Sequence, residues 1–387
     1  MSKIDDLIAE YCPDGVERKP LGAIAKLYRG NGLQKKDFTD KGIGCIHYGQ
    51  IYTRYDTFTS QTISFVDKKL ADKLLKVHPN DLIVTATSEN LEDVCKAVAW
   101  LGGSDIVTGG HSIVVRHHQN AKYLSYYFQT LDFFQRKRAY VHGTKVMEIK
   151  KDDLAKIVVP VPPLPVQEEI VRILDSFSSL EAELEAELEA RRKQYAYYRN
   201  ELLTFDRERV QWLKLGEAAF INKGTYITKK QVIPGNIPVI LGGVEPAYWH
   251  SESNHDGEGI VISRSGANAG FASYWNEPIF VSDGFVLDAT PGIDMRFLFH
   301  VLKKQQAKLH SMKRGSGVPH INSKMLANNV AIPVPPLEEQ QHVVSILDRF
   351  DKLTNDLSSG LPAEIEARHK QYEYYRDRLL SFDELAV

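Results

Sequence analysis

Two stretches of this chain occur twice. VVPVPPLPVQEEIVRILDSF (Val158 to Phe177) returns as VAIPVPPLEEQQHVVSILDRF (Val330 to Phe350), and EARRKQYAYYRNELLTFD (Glu189 to Asp206) returns as EARHKQYEYYRDRLLSFD (Glu366 to Asp383). A chain written as one unit twice, each copy built around a long helix, points to a protein that reads or bridges two similar things.

The helix carries its own packing instructions. Apolar and aromatic positions run Ile170, Ile173, Phe177, Leu180, Leu184, Leu188, then Tyr195, Tyr198 and Leu202. Steps of three and four alternate with one four-four step at Leu184 to Leu188, a heptad seam carrying a single stutter. The copy runs Val343, Ile346, Phe350, Leu353, Leu357, then Tyr372, Tyr375 and Leu379, with four extra residues at the stutter. Two such stripes in one chain most simply bury each other as an intramolecular coiled coil, because a lone stripe would be left in water; the alternative is that each packs on its own domain. Pro160, Pro162, Pro163 and Pro165 keep the first approach extended, as Pro333, Pro335 and Pro336 do the second. Gln167, Glu168 and Glu169, like Glu338 and Glu339, suit the positive first turn of a helix. Ser359, Gly360, Leu361 and Pro362 interrupt the second helix, and a kink or restart is expected there.

The segments before the helices share a grammar. The first opens with Leu21-Gly22, passes an apolar run at Ile43 to Ile51 and closes with a helix near Tyr123 to Arg138, then Gly143-Thr144 and Ile149. The second opens with Leu215-Gly216, passes Ile237 to Val244 and closes with a helix near Met295 to Met312, then Gly315-Ser316 and Ile321. Runs such as DLIVTAT (Asp81 to Thr87) and GIVISRSG (Gly259 to Gly266), bounded by Gly, Asn and Ser, read as strands joined by tight turns. Each segment is expected to be a small α+β domain of irregular sheet plus helices. Outside the scaffold positions the two differ nearly everywhere, which two readers of different targets would need. A short amphipathic helix over residues 2 to 11 echoes Tyr198, Leu202 and Phe205, and is expected to pack beside the C-terminal helix end near Leu379.

Charge narrows the function. The 387 residues carry a formal net charge of −2, with 43% apolar and 25% charged residues, ordinary for a globular protein. That near-neutrality averages unlike regions. From Ile106 to Met147 the only acidic residue is Asp132, and from Arg296 to Leu337 there is none. Both stretches hold Lys and Arg among His, Gln, Ser and Gly, the first with Tyr as well, a surface suited to tracking phosphates; a solvated face is the plainer reading. Three separated cysteines without CxxC spacing indicate neither a disulfide frame nor a zinc site. No signal peptide or membrane-spanning run is expected, and a reduced cytoplasm fits best.

The order of domain, VPVPPL-plus-helix, domain, IPVPPL-plus-helix, with GTKVMEI (Gly143 to Ile149) and GSGVPHI (Gly315 to Ile321) before the proline runs, resembles the specificity subunit of type I restriction-modification enzymes. Leu180 to Arg191, reading LEAE, LEAE, LEAR, is similar to the tetrapeptide units of some family members. The resemblance implies two target-recognition domains, each reading one half of a bipartite, asymmetric site in double-stranded DNA. They are separated by two long helices pairing as an antiparallel coiled coil, which sets the spacer and docks two methyltransferase subunits; restriction/translocase subunits then join. It implies no catalytic residue, metal or cofactor. The expected segments are 1–155 (first domain), 156–206 (lead-in and central helix), 207–329 (second domain) and 330–387 (lead-in and C-terminal helix, interrupted near 359–362).

Side chains able to read base edges point to candidates on loops. In the first domain these are Lys35, Lys36, Gln50, Arg54, Ser88, Asn90, Thr144 and Lys145; in the second, Lys229, Lys230, Arg264, Ser265, Asn268, Arg314, Ser316 and His320. Phosphate contacts are expected from Arg136, Lys137, Arg138, Lys303, Lys304, Lys308 and Lys313. Any of these could instead be a surface or turn residue. Against catalysis, the NPPY-like tetrapeptide and glycine-rich cofactor loop of aminomethyltransferases are missing, and Asp153 with Lys156 is a weak nuclease pairing. A coiled-coil DNA-binding scaffold or adaptor outside restriction-modification is the alternative.

Overall fold

The computed structural model describes residues 3–243, 245–315 and 317–383. It divides into two compact units, Met1–Glu183 with Ile365–Val387, and Leu184–Glu364. The division falls inside the long helix Leu164–Leu202.

In the first unit, strand Leu82–Thr85 lies between antiparallel strands Ser112–His117 and Ala97–Trp100, with Ile113 opposite Val84 and Val114 opposite Ile83. Side chains alternate across this sheet. Leu82, Val84, Ile113 and Val115 enter the main core, while Ile83, Val98 and Val114 pack with Ile46, Val77 and Ile106 of a second, four-stranded sheet. Both faces are covered, so the run reads as continuously apolar. The second unit repeats this arrangement. Ile260, Ile262, Phe285 and Leu287 enter its main core, and Val261 and Val286 pack against Ile240 and Val281. A parallel pairing also recurs, Val107 with Cys45 and Thr108 with Ile46 in one unit, Phe280 with Val239 and Val281 with Ile240 in the other.

Each domain is closed where it begins and ends. Strand Arg18–Pro20 pairs antiparallel with Val158–Pro160, and Gln211–Lys214 pairs with Ala331–Val334. The proline runs are therefore edge partners in two-stranded clasps, where a missing N–H costs little. The glycines that follow allow close approach: a Cβ on Gly22 would sit 3.0 Å from Ala155 Cβ, and one on Gly216 would sit 2.9 Å from Ala327 Cβ. Gln167 and Gln340, both fully buried, lock the lead-ins alike. Gln167 donates to Pro162 O at 2.7 Å and accepts from Asn120 N at 2.9 Å; Gln340 donates to Pro335 O at 2.8 Å and accepts from Asp294 N at 2.8 Å.

The helices pair inside each unit by one repeated contact. Phe177 stacks on Tyr375 with ring centroids 5.4 Å apart, and Phe350 stacks on Tyr198 at the same 5.4 Å. Within the first unit the pairing runs antiparallel, since Glu181, further along, meets His369, further back. The fold is thus mixed α and β, with two similar domains joined to paired long helices. Ile4, Leu7 and Ile8 of the N-terminal helix Lys3–Tyr11 share a core with Tyr372, Leu379, Leu380 and Phe382, and Val16 N donates to Asp383 O at 2.9 Å. This is the neighbourhood expected from the echo between the two halves.

Four details differ from the sequence expectation. The helix foreseen near Tyr123 to Arg138 is two, Ala121–Tyr127 and Leu131–Lys137, because Thr130 caps the second through its hydroxyl. The one foreseen near Met295 to Met312 is Met295–Lys304 and Gln306–Ser311. The apolar run from Ile43 divides into strand Ile43–Ile46 and helix Tyr48–Thr53. Leu357, assigned to the seam, is 74% exposed, since helix Leu337–Asn355 has already ended. There Asp356 accepts from Ser358 N and from the Ser358 and Ser359 hydroxyls. The next helix, Leu361–Leu379, begins with Pro362 in its first turn, where no helical bond is lost. Leu180, Tyr198 and Leu353 are also only partly covered, while Leu174 and Leu347, outside the seam, are fully buried against their domains. The domain-facing stripe is wider than a two-position seam.

Candidate nucleic-acid interface

The aspartates of the repeated ILDSF and ILDRF segments fix each domain to its helix. Asp175 accepts from Lys122 Nζ at 2.7 Å and from the Tyr126 hydroxyl at 2.8 Å. Asp348 accepts from Arg296 Nε at 3.1 Å and lies 2.7 Å from His300 Nε2. Burial works against the charged carboxylate of Asp348, but bonds from His300 and Arg296 outweigh it and hold the group below the usual carboxylate range. Each domain is thereby fixed to its helix.

At one end of the sheet in each domain, two adjacent strands deliver polar groups side by side. In the first domain Thr85 pairs with Ser112; in the second, Ser263 pairs with Gly284. Two residues past the first strand of each pair stands a hydroxyl, Thr87 or Ser265. One residue before the second strand stands its partner, His111 or Asp283. Thr87 Oγ1 lies 2.9 Å from His111 Nδ1, and Ser265 Oγ donates to Asp283 Oδ2. The position between strand and hydroxyl is Ala86 in one domain and Arg264 in the other, and only Arg264 adds a charge, its Nε donating to Asp283 Oδ1 at 2.8 Å. One backbone frame therefore carries two different chemistries.

A hairpin flanks this end of each sheet. Ile149 N donates to Ala86 O and Ile321 N to Arg264 O, both at 2.9 Å. Gly143 and Gly315 turn the hairpins at φ 115° and 104°, a conformation that favours glycine. Thr144, Lys145 and Val146 are exposed at the first tip, and Val318 near the second.

The sequence candidates fall into groups. Lys35, Gln50 and Arg54 line one hollow with Phe38, Thr53 and Ser64, and Lys35 joins His47, Tyr48 and His111 around another. Ser88 pairs with Met147, which brings it beside the hairpin of Thr144 and Lys145. Arg264, Ser265 and His320 share a cleft of about 480 Å³ with Lys223 and Phe285, and Arg314 pairs with His320. Lys36, Lys229 and Lys230 are exposed outside these clefts, and Asn268 is half-buried in a turn. Arg138 and Lys308 are exposed, Arg136 is paired with Asp132, and Lys313 donates to Ala267 O. Ser316 lies outside the described residues.

Five candidates have structural duties instead. Lys137 is 3% exposed, its ammonium donating to Glu92 O and Val94 O, so it ties a helix to a loop and cannot reach a phosphate. Lys304 donates to Asn200 O and Thr204 Oγ1, closing the end of the long helix. Lys303 is half-buried over the Phe271 ring at 4.4 Å. Gln50 is buried, its amide donating to Ser64 Oγ and accepting from His47 N as a helix cap. Asn90 spends its side chain on Asp93. Asp283, His111, His47, Tyr48 and Lys223 stand on the same surfaces and are not among the sequence candidates. Position just outside a strand was the available signal for His111 and Asp283, but their partners come from another strand.

Among the described residues no group of three or more His, Cys, Asp or Glu is placed to hold a metal ion, and no helix is long and apolar enough to cross a membrane.

Two unlike polar surfaces are thus carried on a doubled α+β frame, each fixed to a long helix of its own unit. The family model for the type I restriction modification DNA specificity domain matches residues 13–190 and 208–367, and the chain belongs to that family. It is 32% identical over 329 residues to a putative type I restriction enzyme specificity subunit of Haemophilus influenzae, covering 78% of this chain and 82% of that one. It is 37% identical over 262 residues to the type I restriction enzyme EcoR124I/EcoR124II specificity subunit of Escherichia coli. That match covers 59% of this chain and 63% of the relative, less than two thirds of its length. The crystal structure of a type I restriction-modification S subunit from M. genitalium aligns with a TM-score of 0.61 at 17% identity, covering 94% of this chain and 96% of that chain. The likeness is one of fold.

Proposed function

We propose that this chain is the DNA-recognition subunit of a type I restriction-modification complex and performs no chemistry itself. Each domain reads one half of a bipartite, asymmetric site in double-stranded DNA. The paired helices set the spacer and dock two methyltransferase subunits, and restriction/translocase subunits join that core. One observation carries the reading: the same strand-end frame is built twice with Ala86, Thr87 and His111 in one copy and Arg264, Ser265 and Asp283 in the other. A symmetric adaptor has no use for that difference, whereas two readers of unlike sequences require it.

The helices support the spacer role by their dimensions. Leu164–Leu202 is 39 residues long, and at 1.5 Å per residue spans roughly 58 Å, more than the ~34 Å of one turn of B-DNA. Exposed Tyr197 and Tyr374 stand at equivalent places in the two copies and supply apolar surface for two equivalent partners.

The test is selection from a randomised duplex library by the purified chain at low salt, since phosphate contacts weaken steeply as salt rises. The expected result is enrichment of two unlike short sequences at a fixed separation. Enrichment of one continuous or palindromic sequence, or cleavage of the library with magnesium, overturns the proposal.

A further inference from the structure

We propose that Arg264, held in place by Asp283, reads a guanine in the half-site bound by the second domain. The inference rests on reading that domain as a DNA reader, and adds which base it takes and by which groups.

Arg264 and Asp283 leave neighbouring strands at the same sheet end. Ser263 pairs with Gly284, so the residue after one strand and the residue before the other emerge together, and Arg264 N donates to Asp283 O at 3.0 Å. The side chains then lock. Arg264 Nε donates to Oδ1 at 2.8 Å, and Ser265 Oγ donates to Oδ2, so both carboxylate oxygens are engaged. Among the described residues the two terminal guanidinium nitrogens of Arg264 make no hydrogen bond. They form a planar pair of donors on a side chain anchored at its Nε edge, with the cleft of Lys223, Phe285, Val318 and His320 around it.

Among base edges, guanine offers the matching pair of acceptors, O6 and N7, in the major groove. A guanidinium held through Nε meets them end-on with two parallel bonds, and less side-chain freedom is lost on binding because the fork is already positioned. A phosphate would also accept from this fork, but it would bring its charge close to the Asp283 carboxylate, whereas a neutral base edge meets no such repulsion. Cytosine or adenine amino groups need an acceptor, and the guanidinium fork of Arg264 offers only donors. The first domain has Ala86 and His111 at these positions and presents no guanidinium, so the effect belongs to one half-site only. Asp283 is a positioning residue: it acts on the base through Arg264.

The test starts from the half-sites selected by the wild-type chain from randomised duplex DNA. Each guanine of the second half-site is then replaced in turn by 7-deazaguanine, which lacks the N7 acceptor. At one guanine, wild-type affinity should fall about 10- to 100-fold. Arg264→Ala should lose a similar factor on natural DNA and become insensitive to the analogue there. Asp283→Asn should relax guanine against adenine at that position, with preference in the first half-site unchanged. The analogue series uses unaltered protein, so it decides the matter even if a variant folds poorly. A second half-site without guanine, or one indifferent to 7-deazaguanine at every guanine, overturns the proposal while leaving the domain a DNA reader. Absence of any selected sequence overturns the reading of the domain as well.

Discussion

Asp175 and Asp348 each tie a domain to its helix through partners 48 to 53 residues upstream. Their segments, ILDSF and ILDRF, repeat openly in the sequence. The partners do not, because Lys122 with Tyr126 and Arg296 with His300 are chemically unlike pairs brought to the same place by the fold. Replacing Asp348 with Ala leaves the half-buried Arg296 guanidinium only its longer 3.6 Å contact with Asp351, and should destabilise the second unit by about 1–3 kcal/mol in thermal or urea unfolding. A second residue sets a pH limit. Burial pushes the His117 imidazole down to about 4, overcoming the nearby Asp81 carboxylate. Unfolded, His117 takes up a proton near 6.5; folded, it stays neutral until about 4. Its contribution is therefore fully present above pH 6.5 and is lost as pH falls toward 4, the loss reaching roughly 2 kcal/mol at pH 5. Denaturation curves between pH 7.5 and 4.5 should show this slope in the wild type and a flatter one in His117→Asn; equal slopes would refute it.

At the scale of elements, the periodic helices and clasped proline runs were legible because their signals are local. A heptad step, a proline or a glycine at a helix break acts within a few residues. Where the seam reading went astray, at Leu174, Leu347 and Leu357, packing on the domains and the early stop at Asn355 decided the outcome. The candidate sites were legible only in part, since Arg264 was visible as a loop arginine but its bond to Asp283 is long-range. Basic residues were harder still. Lys137 and Lys304 look the same in sequence as Arg138 and Lys308, and only the fold shows which ammonium groups are spent on carbonyls. The long helix also yields a prediction of its own. Deleting Leu184 to Glu187 removes one four-residue unit, shortening the helix by about 6 Å and turning its end by roughly 40° beyond a full turn. The gap between half-sites should change and both halves stay the same. An altered half-site in the selected sequences would refute the spacer role.

At the scale of the molecule, the helices and clasps are the part that repeats and the strand-end surfaces are the part that diverges. On the proposed function, that division separates how the halves are held from what each half recognises. It also suits exchange, since a domain closed by its own clasp, as Arg18–Pro20 with Val158–Pro160, can vary its surface without disturbing the helices. The central claim is that two unlike readers act through one subunit that confers specificity on a separate methyltransferase. The measurement that reaches it most directly is co-expression of this chain with its methyltransferase partner, followed by mapping of every modified position across the host genome. Modification confined to a bipartite site, two different short sequences at one fixed spacing, is the predicted result; a continuous site, two identical halves, or modification unchanged when this chain is left out would contradict it.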